Sequence, residues 1–132
     1  MLKNHFFIKN IGQLNKLNTK ITPITINISW NYSNISLKHN RFIKYGHFVL
    51  IYFVLVTSNN TDFITHNDYT ILGNIPAAYR PTYLVTAPIT TSQSIRGQNA
   101  FFEVRTDGNI CIYQYGDNNS TWANVNIIYY VE

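Results

Sequence analysis

The sequence predicts an all-β domain built as an antiparallel sandwich or barrel. From residue 24 onward it reads as eight or nine short alternating or apolar segments between polar turns, with almost no helical periodicity. The run Phe48–Val56 is apolar throughout and rich in β-branched and aromatic residues, as in a buried strand. The pair Asp107-Gly108 lies between two alternating runs, which is among the strongest sequence signals for a β-hairpin.

The first half of this region predicts three strands. In residues 24–30, isoleucines and Trp30 alternate with Thr, Asn and Ser, which indicates one half-buried strand. A second strand alternates from Ile35 to His39. A glycine turn at Gly46 then leads into Phe48–Val56, which we expect to be buried on both faces. At nine residues this run is well short of the roughly 18 to 20 needed to span a bilayer, so no membrane span is predicted.

The middle of the chain predicts a rigid corner. A strand near Tyr69–Leu72 is followed by the sequence Ile75-Pro76-Ala77-Ala78-Tyr79-Arg80-Pro81. Its two prolines fix φ and remove two backbone donors, so the segment cannot continue a helix or a central strand. We expect Tyr79 to pack inward at this corner and Arg80 to bond to carbonyl groups.

Four further strands follow the corner. We expect a short strand at 82–87 that Pro88 ends or places at an edge. The hairpin strands fall at 100–106 and 109–115, joined by a type I′ turn at Asp107-Gly108. A last strand covers 122–131.

Residues 1–22 differ from the rest and form a separate predicted segment, a neck or arm ahead of a β head domain at 23–132. Two sevenfold series, Phe7-Leu14-Ile21 and Asn10-Leu17-Ile24, are offset by three, which is the a/d pattern of a coiled coil. The pattern spans barely two heptads, and Pro23 stops it. One interpretation is the helical end of an oligomerising stalk, and the other is an irregular, loosely packed arm.

Composition limits the classes of partner. The 132 residues are enough for one domain, and only 12% are charged, against about 25% in an average globular protein. Much of the surface is therefore uncharged, or buried against other copies. Residues 1–60 carry seven Lys or Arg and no acid, but these are scattered singly, so nucleic-acid binding is not predicted. The run Phe6-Phe7-Ile8 is too short for a signal-peptide core, so no signal peptide is predicted.

No catalytic or metal-binding pattern stands out, so neither an enzyme nor a cofactor is predicted. Cys111 is the only cysteine, which excludes an intrachain disulfide and a cysteine-based metal site, and we expect a buried, inert thiol. The four histidines lack metal-like spacing, no Gly-x-Ser-x-Gly elbow occurs, and nothing pairs two carboxylates as a glycosidase would need.

Saccharide binding would use a different set of side chains, and the loops contain them. Aromatic rings cover the apolar face of a sugar, planar polar groups bridge its hydroxyls, and Arg or His can meet phosphate. The candidates are Trp122 with the Asp117 loop, His66 with Asp68, and Arg96 with Gln98. The alternative for Trp122 is a core or subunit-interface position. For the other pairs it is a solvated loop or a polar edge.

The order of these features resembles a known family. Trp30 precedes a basic strand, Gly46 precedes a long apolar strand, and Ile-Pro-x-x-Tyr-Arg-Pro at 75–81 is followed by Thr106-Asp107-Gly108 and a late Trp122. Over roughly residues 28–132 this resembles the C-terminal head domains of receptor-binding tail or baseplate proteins of phages that infect Gram-positive bacteria.

The resemblance implies a jelly-roll-like antiparallel fold assembled as a homotrimer. It implies non-enzymatic recognition of a bacterial cell-wall saccharide or phosphate-bearing polysaccharide, contacts with other tail or baseplate proteins, and a place in the virion after synthesis in the host cytoplasm. The chain departs from typical members in being short, without the long N-terminal region that attaches them to a tail. The alternative is a structural trimerisation or capsid-like jelly-roll module that has no ligand.

Overall fold

The structure is a computed structural model that describes residues 22–57 and 62–132. It confirms the all-β prediction, and the strands form one curled antiparallel sheet shaped as a half-barrel. The predicted neck at 1–22 lies almost wholly outside the described residues. The strands are β1 (Ile24–Thr25), β2 (Ser29–Trp30), β3 (Ile35–Tyr45), β4 (Phe48–Thr57), β5 (Tyr69–Asn74), β6 (Val85–Thr91), β7 (Ala100–Val104), β8 (Asn109–Gln114) and β9 (Trp122–Tyr130).

Strand β6 joins the two halves of the curled sheet. The strand order is β1-β3-β4-β9-β6-β7-β8-β5-β2. Residues 85–89 of β6 pair with β7, and Thr90 and Thr91 pair with β9. Of the two alternatives predicted for Pro88, the end of the strand is wrong, because β6 begins later than predicted and runs through Pro88. The edge alternative agrees with the pairing, since residues 85–89 pair on one side only, with β7. Pro88 lies two residues before β6 begins to pair with β9, and a missing backbone N–H is tolerated at this position.

The N-terminal strand predicted at 24–30 is split in two. Strand β1 pairs with β3, whereas β2 pairs with β5 at the opposite end of the strand order. Between them the Ile26 N–H donates to the Phe42 carbonyl at 2.7 Å, and just after β2 the Asn31 N–H donates to the Leu72 carbonyl at 2.9 Å. One segment therefore lies against both outer strands of the sheet and changes partner midway, which a single alternating pattern does not reveal.

Strands β3 and β4 form a long hairpin with two departures from expectation. β3 is a single strand with a register shift between Lys38 and Arg41, where His39 has a φ of 54°. The prediction that the β4 run is buried on both faces is wrong. Its inner residues are buried, but the outer residues are only partly covered, and Phe48 is 56% exposed.

The corner at 75–81 is confirmed. Residues Ala77–Tyr79 form one turn of 3-10 helix. The Nε of Arg80 donates to the Ile75 carbonyl at 3.0 Å, Tyr79 packs against the core, and the Tyr129 hydroxyl donates to the Tyr79 carbonyl at 2.7 Å.

The β7–β8 hairpin is confirmed, but its turn is not type I′. Among the turn residues only Gly108 has a positive φ, of 90°, whereas type I′ needs two such residues. The Gly108 N–H donates to the Arg105 carbonyl at 2.9 Å, closing a turn one residue earlier than expected.

The core lies between the inner faces of the two halves. Its centre is aromatic: the Phe53 ring contacts Phe42, Phe102 and Trp30 at centroid distances of 5.5, 5.7 and 5.9 Å. Aliphatic side chains from β4, β8 and β9 surround these rings. In the part of the chain that the structure covers, no helix has the length and apolar character to cross a membrane.

Candidate functional site

The clearest candidate site is a cleft on the outer face of β5, β6, β7 and β8. Side chains alternate along these strands, so Phe102 and Ile112 enter the core while their neighbours Phe101, Glu103 and Tyr113 point outward. The strand register sets Phe101 opposite Tyr113, and Tyr113 opposite Tyr69. The cleft has a volume of about 240 Å³. We call it the aromatic cleft; it is lined by Tyr69, Thr86, Phe101, Glu103, Tyr113 and Tyr115.

The four aromatic rings form a continuous series around the cleft. The Tyr69 and Tyr113 centroids are 4.8 Å apart, those of Tyr113 and Tyr115 are 4.7 Å apart, and those of Phe101 and Tyr115 are 6.0 Å apart. The interplanar angles of 62° to 89° place ring edges against ring faces, the arrangement that the aromatic quadrupole favours. The packing fixes each ring through its neighbour, so the lining is preorganised.

Among the residues that the structure describes, Glu103 is the only acid that lines the cleft, and it is only 9% exposed. The Tyr69 hydroxyl donates to its Oε1 at 3.2 Å, and the Nε of Arg105 donates to its Oε2 at 3.2 Å. Burying a carboxylate is costly unless it is paired and hydrogen-bonded, and these two donors meet that need. Each oxygen keeps capacity for a further hydrogen bond, because an ionised carboxylate accepts about four.

Arg105 is held beside the cleft and does not line it. Its guanidinium carbon lies 4.4 Å from the centroid of the Tyr69 ring, within the range of a cation–π contact. The negative charge of Glu103 is the main reason that the pKa of Tyr69 is raised, so this phenol stays protonated at neutral pH and remains a donor. Cys111 lies opposite Glu103 in the strand register and is fully buried, as predicted.

Three of the sequence-predicted site residues, His66, Gln98 and Asp117, come together in a separate place. They lie in the loop cluster, which we define as residues 64–67, 91–99 and 116–121. The Nδ1 of His66 lies 2.6 Å from Asn119 Oδ1, which also accepts the His66 N–H at 2.9 Å. With its amide oriented to satisfy both atoms, Gln98 accepts the Asp117 N–H at 3.2 Å and donates to the Asn118 carbonyl at 3.1 Å.

The loop cluster is held together by buried polar groups. Gln114 is fully buried; its Oε1 accepts from Thr91 Oγ1 at 2.9 Å and from Ser120 Oγ, and its Nε2 donates to the Asn118 carbonyl at 2.5 Å. Because these polar groups hydrogen-bond to one another, the network holds the loops in place. The proposed saccharide contacts of His66, Gln98 and Asp117 stay predictions.

Of the other three predicted residues, Asp68 and Trp122 lie outside the loop cluster, and Arg96 lies at its surface. Asp68 accepts the Tyr69 N–H at 2.7 Å in the turn into β5, next to the aromatic cleft. Arg96 is exposed at the end of the 3-10 turn Ser94–Arg96. Trp122 opens β9 opposite Val56, and its side chain is 39% exposed on the outer face of the β4–β9 half. It does not lie in the core, so the interface and ligand interpretations remain for it.

Sequence reasoning missed the aromatic cleft. The signal was present in the alternation of Phe101, Glu103 and Arg105, and again in Tyr113 and Tyr115, which places each set on one face. It could not show that Tyr69, 32 positions before Phe101, joins them, because that depends on the pairing of β5 with β8.

Neither a metal site nor a similarity to known proteins gives further evidence on the function. Among residues 22–57 and 62–132, no three His, Cys, Asp or Glu side chains are grouped so that they could hold a metal ion. Comparison of the chain with protein-family models, curated proteins and solved structures gives no match.

Proposed function

We propose that this chain is a non-enzymatic receptor-binding head domain that recognises a saccharide of the bacterial cell surface through the aromatic cleft. The observation that carries this proposal is the combination of four packed aromatic rings with one buried, paired carboxylate. Aromatic faces cover the C–H face of a sugar ring, and a carboxylate accepts hydrogen bonds from its hydroxyls.

The size of the cleft fits a small part of a polysaccharide. At about 240 Å³ it is below the usual range for sites that enclose drug-sized ligands, which begins near roughly 300 Å³. A single sugar ring at the end or side of a chain suits this volume, and such a site is weak on its own. Several linked copies would raise the avidity by about 10²–10⁴ without new contacts.

The lining supports binding without turnover. Glycoside hydrolysis in its common forms needs two carboxyl groups about 5–9.5 Å apart across the scissile bond. Within the described part of the chain, Glu103 is the only carboxyl group that lines the cleft, and it is hydrogen-bonded to Tyr69 and Arg105. Its proposed role is to accept hydrogen bonds from the ligand.

The wider biological setting of the proposal comes from the sequence resemblance. It is a phage tail or baseplate, with a jelly-roll-like head assembled as a homotrimer and attached to other virion proteins. The largely apolar outer face of β4 and β9 supports assembly, because Phe48, Ile128 and Tyr130 are each more than half exposed there, although Asn124 and Asn126 also lie on it. Large apolar surfaces of this kind mark interaction sites.

The same outer face favours the second candidate, a structural trimerisation module without a ligand. In that case the apolar face of β4 and β9 would be the functional surface, and the aromatic cleft would be surface packing around a paired carboxylate. The two candidates differ in whether a change in the cleft alters glycan binding.

Binding of purified cell-wall polysaccharide from Gram-positive bacteria, measured by calorimetry, tests the proposal. We expect wild-type protein to bind, and Tyr113→Ala to lose about fivefold or more in affinity, since stacking on an aromatic side chain contributes on the order of 1 kcal/mol or more. Tyr83→Ala is the matched control, because Tyr83 is 81% exposed and does not line the cleft. Equal binding by all three folded proteins would contradict the assignment, and shortening of the polysaccharide would show an enzyme.

A further inference from the structure

The aromatic cleft presents the carboxylate of Glu103, the rings of Tyr113, Tyr115 and Phe101, and the hydroxyl group of Thr86. The carboxylate of Glu103 offers acceptor sites beyond those used by Tyr69 and Arg105. The ring faces of Tyr113, Tyr115 and Phe101 carry the negative side of the aromatic quadrupole. A ligand that contacts this carboxylate and these ring faces must therefore bring hydrogen-bond donors and apolar C–H groups.

Arg105 lies outside the lining and neutralises the negative charge of Glu103. Its side chain is 31% exposed against 11% for Glu103, and its Nε is committed to the carboxylate at 3.2 Å. The same guanidinium covers the Tyr69 ring at 4.4 Å. The formal charge of the Glu103–Arg105 pair is zero, and the cation is already in place against one of the four rings.

From this arrangement we infer that the aromatic cleft selects an uncharged sugar unit, whose adjacent hydroxyl groups donate to Glu103 while its C–H face lies on the tyrosine rings. This inference rests on the proposed saccharide-binding function and narrows its ligand. A phosphate group, or the carboxylate group of a uronic acid, would bring acceptors and a negative charge toward the carboxylate and ring faces. An ammonium group would be attracted by Glu103 and repelled by Arg105, and it would have to shed its hydration.

Arg105 is a positioning residue in this account. It acts on the ligand through Glu103, by holding the carboxylate and cancelling its charge. Replacing it with glutamine would leave an uncompensated carboxylate in the cleft, so selectivity should move toward cationic sugars. A residue that only stabilised the hairpin would weaken all ligands alike.

The test uses one sugar ring with different charges. The probes are methyl glucoside, methyl glucosaminide, glucose 6-phosphate and methyl glucuronide, and the corresponding galactose series, titrated by NMR into the protein at 20 and 500 mM NaCl. We expect the uncharged glycoside of at least one series to bind most tightly, with less than about twofold dependence on salt, because screening acts on charged ligands. Glu103→Gln should weaken it by about tenfold or more, the loss expected for hydrogen bonds to a charged acceptor.

The decisive variant is Arg105→Gln. We expect it to raise the affinity of the glucosaminide relative to the neutral glycoside by about tenfold, with Arg96→Gln as the control that leaves this ratio unchanged. Tightest binding of the phosphate, the uronate or the amino sugar by wild-type protein would overturn the inference while leaving saccharide binding intact. If no probe and no purified cell-wall polysaccharide binds the folded protein, the proposed function itself fails.

Discussion

Cys111 shows how far burial controls the chemistry of a single side chain here. It is fully covered on the outer face of β8, and burial raises the pKa of its thiol to about 11. The reactive thiolate is therefore scarce at neutral pH, and reagents cannot reach it.

We predict that Cys111 does not react with a thiol reagent in the folded protein at pH 8 over an hour and reacts stoichiometrically in denaturant. The measurement is absorbance with Ellman's reagent, with and without guanidinium. Fast reaction of the native protein would mean that the outer face of β8 opens readily.

Tyr129 links the last strand to the proline corner. Its hydroxyl donates to the Tyr79 carbonyl at 2.7 Å, and burial raises the pKa of this phenol above its usual value. A raised native pKa gives stability that is complete below the unfolded pKa of about 10 and is lost as the pH rises above it.

We predict that Tyr129→Phe lowers the free energy of unfolding by about 1 kcal/mol at pH 7, because the Tyr79 carbonyl loses its donor. Above pH 10 the gap between wild type and variant should narrow, since only the wild type has this phenol to ionise on unfolding. Urea denaturation at pH 7 and pH 10.5 measures both. A gap that widens with pH would contradict the assignment.

At the level of elements, the corner and the β7–β8 hairpin form one unit. The Ile75 N–H donates to the Gly108 carbonyl at 2.8 Å, and Asn74 Nδ2 reaches the Asp107 carbonyl at 3.3 Å. A Cβ on Gly108 would lie 2.6 Å from the Ile75 carbonyl oxygen, and the residue has a φ of 90°. The two sequence motifs on which the resemblance rests therefore contact each other directly.

We predict that Gly108→Ala destabilises the protein by about 2 kcal/mol or more, through both backbone strain and this close contact. Gly46→Ala is the control: its φ is 62°, but a Cβ there meets nothing within 4 Å, so strain alone should cost about 1 kcal/mol. Thermal unfolding of both variants measures the difference. Equal losses of stability in the two variants would show that the hairpin can move away from the Ile75 carbonyl at no cost in free energy.

Elements with local signals could be predicted from the sequence, and those set by distant pairing could not. The hairpin and the corner were predictable because Asp-Gly and the two prolines restrict the backbone locally. The split at residues 24–30 and the passage of β6 through Pro88 depend on which strands meet. The aromatic cleft was missed for the same reason, as its rings come from three strands.

At the scale of the whole molecule, the two outer faces differ in character. The β5–β8 half carries the aromatic cleft with its paired carboxylate. The outer face of β4 and β9 carries Phe48, Trp122, Ile128 and Tyr130, with no acid among its outward residues. The few charges in the chain are consistent with one face for a ligand and another for other copies.

We predict a trimer in solution by light scattering, with Ile128→Glu shifting the mass toward the monomer. Ile128 is 63% exposed near the end of this face that carries Phe48 and Tyr130, and a buried unpaired charge would oppose association. Ile95→Glu is the control, because Ile95 is 92% exposed in the 3-10 turn Ser94–Arg96 and belongs to neither β4 nor β9. A monomeric wild type would remove the homotrimer from the proposal.

Whether the aromatic cleft is the saccharide site can be decided by titrating the protein with the uncharged methyl glycosides and following its aromatic carbon–proton NMR signals. We predict saturable shifts at Tyr69, Tyr113 and Tyr115, with the Tyr83 signals unmoved. Shifts centred instead on Trp122 or His66, or saturable binding that moves none of the cleft tyrosines, would contradict the assignment of the saccharide site to the aromatic cleft.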